Sequence, residues 1–250
     1  MQVKAYKTPV VSPRSHKIND LLDEALPPLK GGCIVVVTSK VVSLCEGRVI
    51  PLDWAKKDDI VAHEAQYYLP GRMNPFNVTL SITRNHLVAS AGVDESNGGG
   101  HFVLWPEDTQ ASANMIRSHL VRKHNNKNIG VIISDSTTRP FQWGTTGVGL
   151  AWSGFAPLHS YIGKSDLFGR PFEFHTNSIY NGLTAAAVVV MGEGAEQTPL
   201  AVIDDVPFVK FTGRNPTKKE LAMLSIGIED DIYKPLLKGV KWVKGRGKAS

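Results

Sequence analysis

Four short apolar runs, each stopping at a glycine, a hydroxyl or an acid, constrain this chain most: CIVVVTS (33–39), HLVASAG (86–92), NIGVIISD (128–135) and PLAVID (199–204). Their length and β-branched content predict buried strands. A helical period appears instead in INDLLDEAL (18–26), in SANMIRSHLVRKH (112–124) behind the polar lead-in PEDTQ, and in TKKELAMLSI (217–226) after Pro216. Residues 181–191, with AAAVVV inside them, fit a buried helix or a strand equally well. The stretch YYLPGRMNPFN (67–77), with two prolines, a glycine and two asparagines, reads as a long surface loop. This order of elements points to an α/β or α+β domain without the strict alternation of a doubly wound sheet.

A chain of 250 residues can bury enough apolar surface to fold without staples. Its only cysteines, Cys33 and Cys45, form no C-x-x-C pair, which argues against a disulfide framework or structural zinc and fits a reducing, cytoplasmic setting. No apolar stretch approaches the roughly 20 residues of a membrane span, and the N-terminal residues lack the apolar core of a signal peptide. The formal net charge of +5 equals the contribution of the last fifteen residues, where Lys238, Lys241, Lys244, Arg246 and Lys248 meet no acid. A basic tail over 238–250 with Trp242 interleaved offers phosphate contacts to nucleic acid. Its plainer reading is a solvated, loosely packed terminus.

The usual nucleotide and hydrolase signatures are missing: there is no G-x-x-x-x-G-K-[ST], G-x-G-x-x-G, G-x-S-x-G or H-E-x-x-H. What remains is a recurrence of acids just beyond apolar runs. Asp94 follows LVASAGV, Asp135 follows VIIS, and Glu193 sits in MGEG after AAAVVV. Carboxylates are hard oxygen ligands, and acids gathered from separate strand ends suit Mg²⁺ or Mn²⁺ held against phosphates; a single such acid more often caps a turn. The glycine-rich stretches GEGAEQTP (192–199) and NGGGH (97–101) offer backbone amides to phosphate oxygens or serve as plain turns. Arg139, after the hydroxyl run of 134–138, suits a bidentate clamp on an anion or an ordinary surface ion pair. His119 and His124 lie five apart in a helical stretch, do not share a face, and make poor ligand candidates.

At these same stretches the sequence resembles the coenzyme F420-0:L-glutamate ligases, a family of γ-glutamyl ligases. The matching segments are TSKVVSLCEGR (38–48), SAGVDESN (90–97), LWPEDTQASA (104–113), GVIISDSTTRPF (130–141), the pair Gly163 and Gly169 within YIGKSDLFGR (161–170), and MGEG (191–194). The resemblance implies an α+β fold of two lobes within one ligase domain spanning 1–250, assembled as an intertwined homodimer. It implies a ligase that uses GTP (or ATP) and Mg²⁺ or Mn²⁺ to join L-glutamate to an acceptor carboxylate, on F420-0 or a folate. By the resemblance Asp94, Asp135, Ser136 and Glu193 are metal ligands or their neighbours. Ser39, Lys40, Asn97, Gly192, Gly194, Gln197 and Thr198 are nucleotide contacts, joined by the loop from Pro9 to Ser12. Arg139 and Lys164 are candidates to steady anionic substrate groups.

Two departures qualify the match. Many family members read S-K-A-E-G-R where this chain has Ser43-Leu44-Cys45-Glu46-Gly47-Arg48, so Leu44 stands in place of a lysine, and Lys40, on a strand-like segment, is the nearest substitute. Basic residues common after R-P-F in members acting on F420-0 are replaced by Gln142-Trp143, which removes positive charge and adds a ring able to stack on a flat acceptor. Leu44 and the basic tail also leave room for an alternative, a nucleotide- or nucleic-acid-binding protein on the same scaffold without ligase activity.

Overall fold

Three of the apolar runs become the middle of one sheet. In the computed structural model, which describes residues 1–70 and 74–248, β1 (Gln2–Tyr6), β2 (Cys33–Thr38), β8 (Ile129–Thr138), β9 (Thr145–Ser153) and β12 (Leu200–Asp204) order as β1-β12-β2-β8-β9. β12 runs antiparallel to both neighbours, pairing Leu200 with Tyr6 and with Val37, whereas β2 and β8 are parallel from Cys33–Ile129 to Thr38–Ser134. Cys33, Val35, Val37, Ile129, Val131 and Ile133 form one core with α1 (Ile18–Ala25), α2 (Ser39–Glu46) and α4 (Thr109–His124). The alternate set, Ile34, Val36, Ile132 and Ile203, is equally buried and points the other way, so both faces are covered. Each such side chain contributes about 1.5–3 kcal/mol by leaving water.

Residues 181–191 resolve as helix, within α5 (Ile179–Met191), which lies on β9, β1 and β12. Its close approach to β9 explains the glycines of TTGVGLAWS: a Cβ on Gly149 would fall 2.1 Å from the Tyr180 ring. Asp108 caps α4 by accepting from the Ala111 N–H, while Arg122, Lys123 and His124 sit at its C-terminal, negative end. The sheet, these helices and the small pair β10 (Leu158–Ser160) and β11 (Thr176–Ser178) belong to one compact unit made of Met1–Glu46, Pro106–Ser136 and Thr145–Pro216.

A second compact unit comprises Gly47–Trp105, Thr137–Gly144 and Thr217–Ser250. It holds β3 (Val49–Pro51) paired with β7 (His101–Val103), α3 (Lys57–Glu64), a four-stranded sheet ordered β13-β4-β5-β6, and the short helices α6 (Lys218–Ala222) and α7 (Lys234–Lys238). The strands of that sheet are β4 (Tyr67–Tyr68), β5 (Leu80–Thr83), β6 (His86–Ala89) and β13 (Val243–Lys244). Its core gathers Ile60, Val61, Ala65, Ala91, Val93, Phe102 and Leu104. Arg48 and Glu64 pair at 2.6 Å beside it. Among the described residues no helix is long and apolar enough to cross a membrane.

Four expectations need correction. The run 128–135 does not end as a strand at Asp135; β8 continues to Thr138, because pairing with β9 carries the backbone on after the buried stretch stops. Lys40 is not on a strand-like segment: the chain turns helical at Ser39, and Leu44 is buried in that helix. The helix expected over 217–226 stops at Ala222, despite a complete capping box of Thr217 and Glu220. The tail is not loose, since Val243 and Lys244 pair with Tyr68 and Tyr67, and the N–H groups of Gly245, Arg246 and Gly247 donate to the carbonyls of Gln66, Ala62 and Ala65. Trp242 donates its indole N–H to the Leu237 carbonyl at 2.7 Å, which draws that ring toward the protein's own backbone. The centre of the 67–77 loop, residues 71–73, lies outside the described residues.

Candidate functional site

Parallel pairing of β2 and β8 sends both strands to the same end of the first unit's sheet, and antiparallel β12 begins there. Thr38, the last residue of β2, pairs with Ser134 and donates its N–H to the Pro199 carbonyl at 3.0 Å. That one edge therefore collects Ser39 and Lys40 at the start of α2, Asp135 and Ser136 just beyond Ser134, and Thr198 before β12. With no loop between β2 and α2, the N-terminal end of that helix emerges where the strand stops. Such a terminus favours negative charge.

The 192–198 loop closes the same edge. Gly192 ends α5 with a φ of 74°, and Thr198 donates its hydroxyl to the Met191 carbonyl, so the loop is pinned at both ends. Gln197 is held left-handed at φ 59°, and its carbonyl accepts the Thr8 N–H at 3.0 Å. That bond brings Thr8, just ahead of the 9–12 loop, to this edge. Thr145, the first residue of β9, donates its hydroxyl to the Glu193 carboxylate. Glu196 folds back to accept the Gly194 N–H at 2.8 Å, so that amide points at a carboxylate of its own loop. Sequence reasoning missed Thr8, Thr145 and Glu196; only the last lay inside a stretch with a visible signal.

The remaining sequence candidates belong to other segments. Asp94 and Asn97 belong to the second unit. There the Asp94 carboxylate accepts from the Ser96 N–H and hydroxyl at 2.9 and 2.8 Å, and Asn97 adopts φ 54° in the following turn. Arg139 is exposed on the 137–144 segment of the same unit. Lys164, in the first unit, stands 3.4 Å from His159 Nε2 and 5.2 Å from the centre of the Tyr161 ring. Among the described residues no group of three or more His, Cys, Asp and Glu side chains could hold a metal ion. The donors at the first unit's edge are all hard oxygens: Asp135, Glu193 and the hydroxyls of Ser136 and Thr145.

His119 and His124 make contacts within the fold, and Cys33 is buried there. His119 Nε2 meets Asp23 Oδ1 at 2.7 Å, and His124 Nδ1 accepts the Leu29 N–H at 3.2 Å. Burial works upward on Asp23, but hydrogen bonds from Lys123 and His119 outweigh it and hold the carboxyl below its ordinary value. Burial pushes the Cys33 thiol up to about 12 and the Cys45 thiol up to about 11, so neither is a ready nucleophile.

This edge, built from strand ends and a glycine-rich loop with carboxylates and helix amides together, suits a protein that handles phosphate groups. Residues 7–205 match the family described as F420-0:Gamma-glutamyl ligase. The chain is 30% identical over 254 residues to the coenzyme F420:L-glutamate ligase of Methanococcus maripaludis strain C7, covering 94% of this chain and 97% of that one. It is 33% identical over 207 residues to the enzyme of the same description from Methanocaldococcus jannaschii, covering 75% and 82%. The chain belongs to the F420-0:gamma-glutamyl ligase family and is an acid–amino-acid ligase.

Proposed function

We propose that this enzyme joins the amine of L-glutamate to the carboxylate of coenzyme F420-0, driven by GTP or ATP and assisted by Mg²⁺ or Mn²⁺. The observation that carries the reading is the convergence at one sheet edge of segments distant in the chain: Thr8, Ser39–Lys40, Asp135–Ser136 and the 192–198 loop. The α2 amides and Lys40 suit the triphosphate, and displacement of Glu196 would free the Gly194 amide to join them. Asp135 and Glu193, with Ser136, fit a hard cation whose remaining positions phosphate oxygens and water would fill. Such a cation supplies charge neutralisation along the polyphosphate.

A carboxylate oxygen is a poor leaving group, so the acceptor is activated first. Its carboxylate attacks the γ-phosphorus and releases the nucleoside diphosphate, giving an acyl phosphate. The glutamate amine then attacks the carbonyl carbon, loses a proton and expels inorganic phosphate. Exposed Arg139 suits an anionic group of a substrate, and Lys164 is a weaker second candidate. A homodimer is supported by large apolar side chains left in water, Leu167 and Phe168 beyond β10 and Val189 on α5.

A folate acceptor is the second reading, favoured by Gln142 and Trp143 where basic residues would suit the anionic F420-0. Purified protein incubated with L-glutamate, GTP or ATP, Mn²⁺ or Mg²⁺ and each acceptor should give a product heavier by one glutamyl unit with F420-0. A gain with folate alone would transfer the assignment. No product and no phosphate release with any acceptor would leave a binding protein without ligase chemistry.

A further inference from the structure

The second unit presents two aromatic side chains that its own core does not use. Trp143 is 91% exposed and Phe76 is 64% exposed, yet their rings meet edge to face, with centroids 5.9 Å apart and planes at 88°. They come from distant segments, and each segment is shaped locally. The Asn74 side chain accepts from the N–H groups of Phe76 and Val78 at 3.1 and 3.3 Å and donates to the Val78 carbonyl at 2.6 Å. Asn77 adds a turn at φ 59°, with its N–H on the Asn74 carbonyl. This small knot fixes the backbone that carries Phe76. On the other side, the Gln142 N–H reaches the Arg139 carbonyl at 3.3 Å and Gly144 takes φ 94°, which shapes the turn that carries Trp143.

Two perpendicular rings held on shaped turns make a corner with one wall for stacking and one for an edge contact. Leaving an indole this exposed forgoes the burial that usually justifies a tryptophan. A planar fused-ring heterocycle would recover that burial, because any such ring presents a π-face to the indole. Arg139, exposed in the same turn, would meet a negative substituent on such a ligand.

We propose that Phe76 and Trp143 form an aromatic corner that holds the fused planar ring of the acceptor, with Trp143 determining specificity and Asn74 positioning Phe76. This deepens the ligase reading and rests on it for the identity of the ligand as acceptor, although ring binding can be measured without turnover.

The test uses the full chain and 5-deazariboflavin, a fused ring lacking phosphate and carboxylate, whose own fluorescence anisotropy reports binding. Trp143→Ala should weaken its binding about tenfold, the scale of one base–aromatic stack, while Trp143→Phe keeps most of it. Asn74→Ala, which removes neither ring but frees the turn that carries Phe76, should also weaken binding, and less than additively with Phe76→Ala. With turnover present, the acceptor KM should rise in parallel and the KM values for nucleotide and glutamate should not. Folic acid in place of the deazaflavin distinguishes a pterin-selective corner from a deazaflavin-selective one. Unchanged deazaflavin and folic acid affinity in Trp143→Ala would overturn the proposal. So would a fall in oligomeric mass for that variant with ring binding intact, which would assign the corner to contact between copies. Ring binding that depends on Trp143 in a protein without ligase activity would refute the ligase reading and leave the corner standing.

Discussion

Gly247→Ala gives a sharp test of how the C-terminal segment is held. A Cβ built on Gly247 would lie 2.0 Å from the Glu64 carbonyl oxygen, 2.7 Å from its carbon and 2.8 Å from the Ala65 carbonyl carbon. All three atoms are backbone at the end of α3, so no side-chain rotation relieves the clash. The segment must lift by more than an ångström, which breaks the Gly247 N–H bond to Ala65 O and strains the neighbouring bonds from Gly245 and Arg246. At about 1 kcal/mol net per hydrogen bond, the loss comes to roughly 2–3 kcal/mol, with overpacking alone of the same order. For a chain of this size that lowers the thermal midpoint by roughly 4–12 °C. The assay is thermal unfolding followed by circular dichroism, with Lys248→Ala as an exposed control expected within about 0.5 kcal/mol of the parent. A Gly247→Ala protein as stable as the parent would show that the segment is not docked on α3 and β4.

Asp135→Asn should nearly abolish turnover while leaving the thermal midpoint unchanged, since it removes a charge at an incompletely buried position without changing volume; wild-type activity would show that the reacting phosphates lie elsewhere. Thr145→Val should lower activity by about 10–100-fold, the worth of a hydrogen bond to a charged group, and Thr145→Ser should restore it; titrating Mn²⁺ against rate would show whether the loss is in metal affinity. Stability should also depend on pH through His124. Burial chiefly, with Lys123 and His119 adding to it against an opposing Asp23, pulls its ring below the ordinary value of about 6.5. The unfolded chain therefore takes up the proton first, and stability falls as pH drops below about 6.5 toward the lower folded value. Urea midpoints from pH 7.5 to 5 should show that loss, and His124→Gln should flatten it; a parallel decline in the variant would place the titration elsewhere.

The parts of the fold legible in the sequence were those where one physical rule acted alone. β2, β8 and β12 are continuous apolar runs because both faces of the sheet are covered, and Asp108 announces α4 by capping it. The unreadable parts are those set by tertiary contact. α2 has only eight residues, with Val41, Val42, Ser43 and Leu44 buried together, so no polar face gives it a period. The glycines of β9 look like loop formers, yet they admit α5. Tail lysines and glycines look solvated, yet Gly245 and Gly247 are small because they press on backbone. At the candidate site, Asp135, Glu193 and the 192–198 loop could be picked out by their acids and glycines. Thr145 could not, because an exposed threonine at a strand start carries no signal until its partner across the fold is known.

The route through an acyl phosphate can be tested directly by labelling the acceptor carboxylate with ¹⁸O and collecting the inorganic phosphate released during turnover with L-glutamate and GTP. Attack by that carboxylate on the γ-phosphorus predicts one ¹⁸O per phosphate, in step with amide formation. Released phosphate without label, beside a normal yield of glutamylated product, would contradict it.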